Sequence, residues 1–171
     1  MPANLLLFDW GDTLMRDLPQ FSGPMAGWPR VEALPGAAET LQALAGEWRI
    51  ALATNAADSD EAQIRQALQR GGLDAWIEQV YCFKRLGVKK PAPEFFAAIL
   101  ADAAQLGGAP PGRVVMVGDS FAGDVQGALS SGLQAVWLNT RSAEQRAGLG
   151  YTTIHLLAEL PAALQSLMVV G

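Results

Sequence analysis

The amino-acid sequence predicts an α/β fold, a single Rossmann-like domain of three layers across residues 1–171, with a parallel sheet of about five strands between helices. Two observations predict this fold. Short apolar runs, typical of buried strands, alternate along the chain with longer segments typical of helices. Several of these runs also end in polar residues, and open α/β sheets bind their ligands at the carboxyl ends of strands.

Five apolar runs predict the strands of the sheet, and a sixth is a candidate edge strand. In chain order they are Asn4–Phe8, Arg49–Ala53, Gln79–Cys82, Arg113–Val117 and Ala135–Leu138, with the edge candidate at Thr152–His155.

Helices are predicted between these strands from their start and stop signals. Asp58 and Ser59 are candidate caps for a helix that ends near Arg70, before the stop at Gly71-Gly72. A Lys-Pro step opens the longest helix. This helix is predicted at Pro91–Ala104. Two further helices are predicted at Gly36–Ala45 and Ala158–Met168.

Composition excludes several classes of protein. With 50% hydrophobic residues the chain can bury a full core, yet no apolar run approaches the roughly 18 to 20 residues that span a bilayer. The net charge is −5 and the basic residues are dispersed, so we expect neither nucleic acid nor membrane as a partner. Cys82 is the only cysteine and the amino terminus lacks the pattern of a signal peptide, which together favour a cytoplasmic protein.

Polar residues that are candidates for an active site lie at or beyond the ends of the predicted strands. Asp9 ends the first strand. Removing a carboxylate from water at this position is costly, so its presence there suggests a functional role. Thr54 and Asn55 end the second strand. Lys90 precedes the longest helix, and the strand predicted at Arg113–Val117 ends in the segment GDSFAGD, which carries Asp119 and Asp124.

These segments resemble the four motifs of the haloacid dehalogenase superfamily of hydrolases. The resemblance runs from about Leu5 to Asn139 and comprises DWGDT, ATN, VKKPAPEFF and VGDSFAGDVQGALSSGL, in the family's order. It implies a magnesium-dependent phosphohydrolase acting on a small phosphorylated substrate. Asp9 would be the nucleophile that forms an aspartyl-phosphate.

The resemblance also implies roles for the other motif residues. Oxygens of Asp9, Asp119 and the Gly11 carbonyl would bind Mg²⁺, while Asp124 would bind it through water or hold Lys90. Lys90, Thr54 and the Asn55 amide would contact the phosphoryl oxygens.

One departure from the family pattern concerns the general acid and base. The family's phosphatases have a second aspartate two residues after the nucleophile, and this chain has Gly11 there, with Asp12 one place further. Two alternatives follow: Asp12 reaches the site through a rearranged turn, or it faces solvent and the acid–base step is impaired. The alternative to a phosphohydrolase is a fold that is retained as a binding or regulatory module, without useful turnover.

The spacing of the motifs predicts no cap domain. Thr13 to Thr54 and Thr54 to Lys90 are too short to hold one, which disfavours the phosphonate-cleaving and dehalogenase branches, since both rely on a cap. The loop Arg16–Arg30 is either a small flap or a surface loop with packed aromatics. In capless members specificity comes from a partner surface or a neighbouring subunit, so a homo-oligomer is one expectation.

Overall fold

Six parallel strands form one sheet in the computed structural model, which describes residues 3–168. In chain order the strands are β1 Asn4–Phe8, β2 Trp48–Ala53, β3 Gln79–Tyr81, β4 Arg113–Gly118, β5 Gln134–Leu138 and β6 Tyr151–Ile154. Their order across the sheet is β3-β2-β1-β4-β5-β6, so β1 lies in the middle between β2 and β4. The predicted α/β class is confirmed.

Helices cover both faces of this sheet. They are α1 Ala37–Leu44, α2 Glu61–Arg70, α3 Phe83–Leu86, α4 Pro93–Gly107, α5 Gly127–Ser130 and α6 Leu160–Met168. Successive residues of β1 serve opposite faces: Leu6 and Phe8 pack with α1, α2 and α6, whereas Leu5 and Leu7 pack with α4 and α5. A strand buried on both faces needs a continuous apolar run, which explains the sequence of β1.

The sheet has six strands rather than about five, because the candidate edge strand is present. β6 pairs with β5 in parallel, from Ala135 opposite Tyr151 to Leu138 opposite Ile154. The third strand is shorter than predicted. It ends at Tyr81, and the buried Cys82 precedes α3 instead of continuing the strand.

Two helix starts differ from the sequence prediction. Asp60, and not Asp58 or Ser59, caps α2: its Oδ1 accepts the N–H of Gln63 at 2.9 Å, while Gln63 Oε1 accepts the N–H of Asp60 at 2.9 Å. α4 begins at Pro93 rather than Pro91. Ala92 precedes Pro93, and a residue before proline avoids helical backbone angles.

The two segments in which relatives insert a cap hold no separate folded unit in residues 3–168. The first contains the loop Arg16–Arg30, with a short 3₁₀ turn at Met25–Gly27, followed by α1. The second contains α2, a 3₁₀ turn at Asp74–Trp76, β3 and α3. The confirmed fold therefore has no cap at these positions, and the carboxyl edge of the sheet faces the loops directly.

None of the helices in the described part of the chain has the length and apolar character needed to cross a membrane. The first two and last three residues of the predicted domain 1–171 lie outside the described residues.

Candidate active site

Asp9 lies where β1 ends, at the centre of the carboxyl edge of the sheet. Its backbone N–H donates to the carbonyl of Val117 in β4 at 2.9 Å, which extends the ladder by one residue and fixes the start of the side chain. The Asp9 side chain is 14% exposed, so it is mostly buried yet accessible from one side.

Lys90 connects three elements of this edge. Its Nζ donates to Asp9 Oδ1 at 3.0 Å, to Asp124 Oδ1 at 2.6 Å and to the carbonyl of Ala53 at 2.7 Å, which uses all three of its protons. Burial lowers the pKa of Lys90, but the Asp9 and Asp124 carboxylates outweigh burial and raise the pKa above its ordinary value. Lys90 is therefore held as a cation beside Asp9.

Asn55 holds the backbone of Lys90 in place. The side-chain amide of Asn55 donates to the carbonyl of Lys90 at 3.0 Å, and its Oδ1 accepts the N–H of Lys90 at 2.8 Å. The sequence predicted a direct contact between the Asn55 amide and substrate. In the structure both polar atoms of the Asn55 side chain bond to the Lys90 backbone, and the contact with substrate stays a prediction.

Asp124 is buried on a π-helical turn, Phe121–Gln126, that follows β4. Its Oδ2 accepts the N–H of Ser120 at 3.0 Å. Only a glycine fits at position 118, since a Cβ there would lie 2.0 Å from Asp124 Oδ2. Burial and the Asp9 charge raise the pKa of Asp124 to about 6, although Lys90 opposes them.

Asp119 completes a cluster of three carboxylates. One oxygen from each of Asp9, Asp119 and Asp124 lies within 4.8 Å of the others. Burial, followed by a hydrogen bond and repulsion from Asp9, raises the pKa of Asp119 to about 7. Three convergent carboxylate oxygens with one cation between two of them suit a hard divalent ion, so the donor set fits Mg²⁺.

Thr13 is a residue of the first motif whose position the sequence did not single out. Its buried hydroxyl lies 3.4 Å from Asp9 Oδ2 and 3.5 Å from Asp119 Oδ1, which is the long limit of a hydrogen bond. It stands between the two carboxylates. Its place directly after the DWGD turn was the available signal.

A cavity of about 260 Å³ has Asp9 in its wall. Thr54 lines it from the end of β2, and its Oγ1 accepts the N–H of Ala56 at 3.1 Å, which leaves the hydroxyl proton free to point elsewhere. Asp9 thus belongs both to the cavity wall and to the carboxylate cluster.

The loop Arg16–Arg30 forms one wall of this cavity through Met25 and Trp28, which are both buried. The guanidinium of Arg70 in α2 donates to carbonyls of this loop, at 3.0 Å to Ala26 and 2.7 Å to Trp28. Of the two sequence alternatives, the structure shows a packed and anchored loop. Spacing alone gave no signal that it faces the site.

Asp12 lies beside the cluster with both carboxylate oxygens engaged. Oδ1 accepts the backbone N–H of Asp17 at 3.0 Å, and Oδ2 accepts Nη2 of Arg141 at 3.0 Å. The same Arg141 nitrogen lies 3.7 Å from Asp119 Oδ2. Arg141 follows β5, outside every sequence motif, which is why the sequence did not indicate it.

Comparison with known proteins agrees with this arrangement. A family model described as haloacid dehalogenase-like hydrolase matches residues 9–132. The pyrimidine 5'-nucleotidase YjjG of Escherichia coli (strain K12) is 35% identical over 128 residues, which are 74% of this chain and 54% of that protein. The N-acylneuraminate-9-phosphatase of Mus musculus is 32% identical over 130 residues, 74% of this chain and 50% of that protein.

A solved structure of an uncharacterized protein from Listeria monocytogenes serotype 4b shares the fold, with a TM-score of 0.79 at 24% identity over 98% of this chain and 99% of that one. This chain spans about half the length of the curated relatives it matches. The family match covers most of the chain and includes all four motifs. The chain belongs to the haloacid dehalogenase-like hydrolase family.

Proposed function

We propose that this protein is a magnesium-dependent phosphohydrolase that removes phosphate from a small phosphorylated substrate through an aspartyl-phosphate on Asp9. The observation that carries the proposal is the position of Lys90, which is buried between Asp9 and Asp124, while Asp9 also lines the cavity. Two relatives are named as a pyrimidine 5'-nucleotidase and as an N-acylneuraminate-9-phosphatase, which supports this class of substrate.

Asp9 is the nucleophile in this proposal because it alone joins the cavity to the carboxylate cluster. Lys90 fixes Oδ1 of Asp9. Oδ2 is then the oxygen available to attack phosphorus, since the Thr13 hydroxyl approaches it only at the long distance of 3.4 Å. Attack from a positioned carboxylate divides hydrolysis into two easier steps.

Cationic and hydrogen-bonding groups around Asp9 would contact the phosphoryl oxygens. Lys90 supplies positive charge next to the attacking group, and the Thr54 hydroxyl donates from the cavity wall. Asn55 acts by holding the Lys90 backbone, and its own backbone N–H is the group we assign to the phosphoryl oxygens.

Asp9, Asp119 and the Gly11 carbonyl would hold Mg²⁺, with Asp124 contributing through water while it anchors Lys90. A bound Mg²⁺ would neutralise the approaching phosphate and the surplus of carboxylate charge. Burial, followed by the neighbouring carboxylates, raises the pKa of Asp119 to about 7 in the protein without metal.

Gly11 leaves the family's usual position for a general acid and base without a carboxylate, so this step is impaired or rearranged. General acid–base assistance is typically worth about 10² to 10⁴ in rate. The loss weighs most on substrates whose leaving group needs a proton.

Release of phosphate from p-nitrophenyl phosphate by the pure protein, with Mg²⁺ and with EDTA, tests the proposal. Turnover that requires Mg²⁺ supports it. No turnover in either condition would favour the alternative that the fold serves as a binding or regulatory module.

We also propose a cytoplasmic location and a homo-oligomer. Size-exclusion chromatography with light scattering tests the oligomeric state.

A further inference from the structure

We propose that Asp17 supplies the general acid and base that Gly11 lacks, a role that rests on the phosphohydrolase function proposed above. The sequence gives no signal for it, because Asp17 lies outside the four motifs. The inference comes from where the chain places Asp17 after the first motif.

Asp17 lies next to the place from which a side chain at position 11 would project. A Cβ built on Gly11 would lie 3.8 Å from the Cβ of Asp17, which is ordinary van der Waals contact, and no other atom is closer. Both residues line the cavity that Asp9 and Thr54 also line. The Asp17 side chain therefore begins within contact distance of the position from which the family's second aspartate would project. It also lines the same cavity as Asp9.

The chain returns to Gly11 because the segment between them is tightly turned. The N–H of Asp12 donates to the carbonyl of Met15 at 2.6 Å, and Gly11 and Met15 form a β-bridge. The backbone N–H of Asp17 then donates to Asp12 Oδ1 at 3.0 Å. These contacts fix the backbone of Asp17 while its exposed side chain stays available.

Asp12 is poorly placed for the same role. Its φ is +58°, in the left-handed region that residues other than glycine rarely adopt. One of its oxygens holds Asp17 and the other holds Arg141. We therefore assign Asp12 to positioning, since it orients the backbone of Asp17.

Asp58 is the other carboxylate of the cavity wall and the competing candidate. It enters from the segment that follows β2, with Asn55 and Ala56, and its Oδ1 accepts the hydroxyl of Ser59 at 3.3 Å. Asp17 is the better candidate because its Cβ lies 3.8 Å from the Cβ position of residue 11, whereas no atom of Asp58 lies within 4 Å of that position.

A carboxylate oxygen of Asp9 bonds to phosphorus as the bond from phosphorus to the leaving oxygen breaks, and that oxygen takes its proton from the Asp17 carboxylic acid. The Asp17 carboxylate then takes a proton from water, whose oxygen bonds to phosphorus as the bond to Asp9 breaks. Phosphate leaves, Asp9 is a carboxylate again and Asp17 again carries a proton.

The test compares Asp17→Asn and Asp58→Asn with the wild type on p-nitrophenyl phosphate and phenyl phosphate, which differ mainly in how well the leaving group departs. With p-nitrophenyl phosphate, Asp17→Asn should lower kcat by about 10² to 10⁴ because water lacks its base. kcat/KM should change little, since nitrophenolate leaves without a proton. A burst of nearly one nitrophenolate per chain should appear. With phenyl phosphate, kcat/KM should fall further than with p-nitrophenyl phosphate.

Each other outcome overturns the assignment. Wild-type kcat without a burst in Asp17→Asn would exclude Asp17, and a burst in Asp58→Asn instead would assign the role to Asp58. If the wild type hydrolyses neither ester, the phosphohydrolase function itself fails and this role fails with it. Thermal unfolding of both variants shows that a loss of rate is not a loss of fold.

Discussion

The Nζ of Lys90 lies 3.0 Å from Oδ1 of Asp9, although 81 residues separate the two in the chain. The contact forms because Asp9 ends the central strand β1 while Lys90 precedes α4, and Asn55 at the end of β2 holds the Lys90 backbone between them. One buried cation thus joins the carboxyl ends of β1 and β2 to the turn after β4 that carries Asp124.

Replacing Lys90 by Met should strongly destabilise the metal-free protein. The substitution leaves Asp9 and Asp124 without their shared cation in a buried site, and breaking such a pair typically costs about 3 to 5 kcal/mol. Urea unfolding in EDTA measures the free energy of unfolding of wild type and variant.

Lys89→Met is the matched control for this prediction. Lys89 is exposed, with its Nζ 5.0 Å from the centre of the Phe83 ring, so the change in stability should be small. Equal effects of the two substitutions would contradict the account of Lys90.

The fold was largely predictable from the sequence. Alternating apolar runs and helix signals give the parallel sheet, because each strand is short, apolar and well separated from its neighbours. Errors fell at boundaries: the cap at Asp60 depends on a reciprocal bond with Gln63, and the end of β3 at Tyr81 depends on pairing with β2. The pattern of apolar residues does not encode such contacts, because they depend on tertiary pairing or on local geometry.

The site was predictable where it follows strand ends and not where it depends on loops. Asp9, Lys90, Asp119 and Asp124 meet as parallel strands require, since their carboxyl ends share one edge. Arg141 and Asp17 lie outside the four motifs. Arg141 reaches Asp12 from the turn after β5, and Asp17 reaches it from the turn after β1. The side chain of Asn55 holds the Lys90 backbone, a contact that the sequence did not indicate.

Asp119 should make the metal-free protein less stable as pH rises. Its pKa is raised from 3.8 to about 7 in the folded state, so the folded state binds the proton more tightly than the unfolded state. The corresponding stabilisation is present below about pH 4 and is lost as pH rises through about 7. Asp124, with a pKa of about 6, acts in the same direction.

Asp119→Asn isolates this effect. In EDTA the variant should gain melting temperature relative to wild type at about pH 8 and show little difference at about pH 4. A difference between variant and wild type that is the same at both pH values would contradict the assigned cause.

Mg²⁺ should raise the melting temperature of the wild type at neutral pH. A ligand that binds only the folded state stabilises it by about 2.7 kcal/mol at 100 times its Kd. Asp119→Ala should remove most of the shift, because it deletes one of the three convergent carboxylates. Differential scanning fluorimetry at constant ionic strength measures both.

Glu47→Ala is the control for this loss of charge. Glu47 is exposed just before β2, at the opposite edge of the sheet from the site, so this variant should keep the full shift. No shift in the wild type at millimolar Mg²⁺ would argue against the proposed metal site.

Gly11→Asp should rescue the Asp17→Asn variant. The backbone at Gly11 is free of positive φ, and a Cβ there has room, with Asp17 Cβ at 3.8 Å as its nearest neighbour. A carboxyl from position 11 then enters the cavity from the family's usual position. Recovery of part of the roughly 10² to 10⁴ in kcat, measured with p-nitrophenyl phosphate, is the expected result.

Gly11→Asn in the same background controls for shape, since it adds a side chain of equal size without a base. Equal recovery with Asn and Asp would show that the cavity, and not a proton acceptor, limits the reaction. Recovery with neither would show that the place of Gly11 beside Asp17 has no catalytic meaning.

The most direct test of the central claim is the rate of phosphate release from p-nitrophenyl phosphate by Asp9→Asn in the presence of Mg²⁺. Asparagine keeps an oxygen that accepts the Lys90 ammonium, so the variant should fold, as its melting temperature will show. Because an amide cannot form the aspartyl-phosphate, we expect turnover by the wild type and none above background by the variant. Hydrolysis by Asp9→Asn at the wild-type rate would contradict the account.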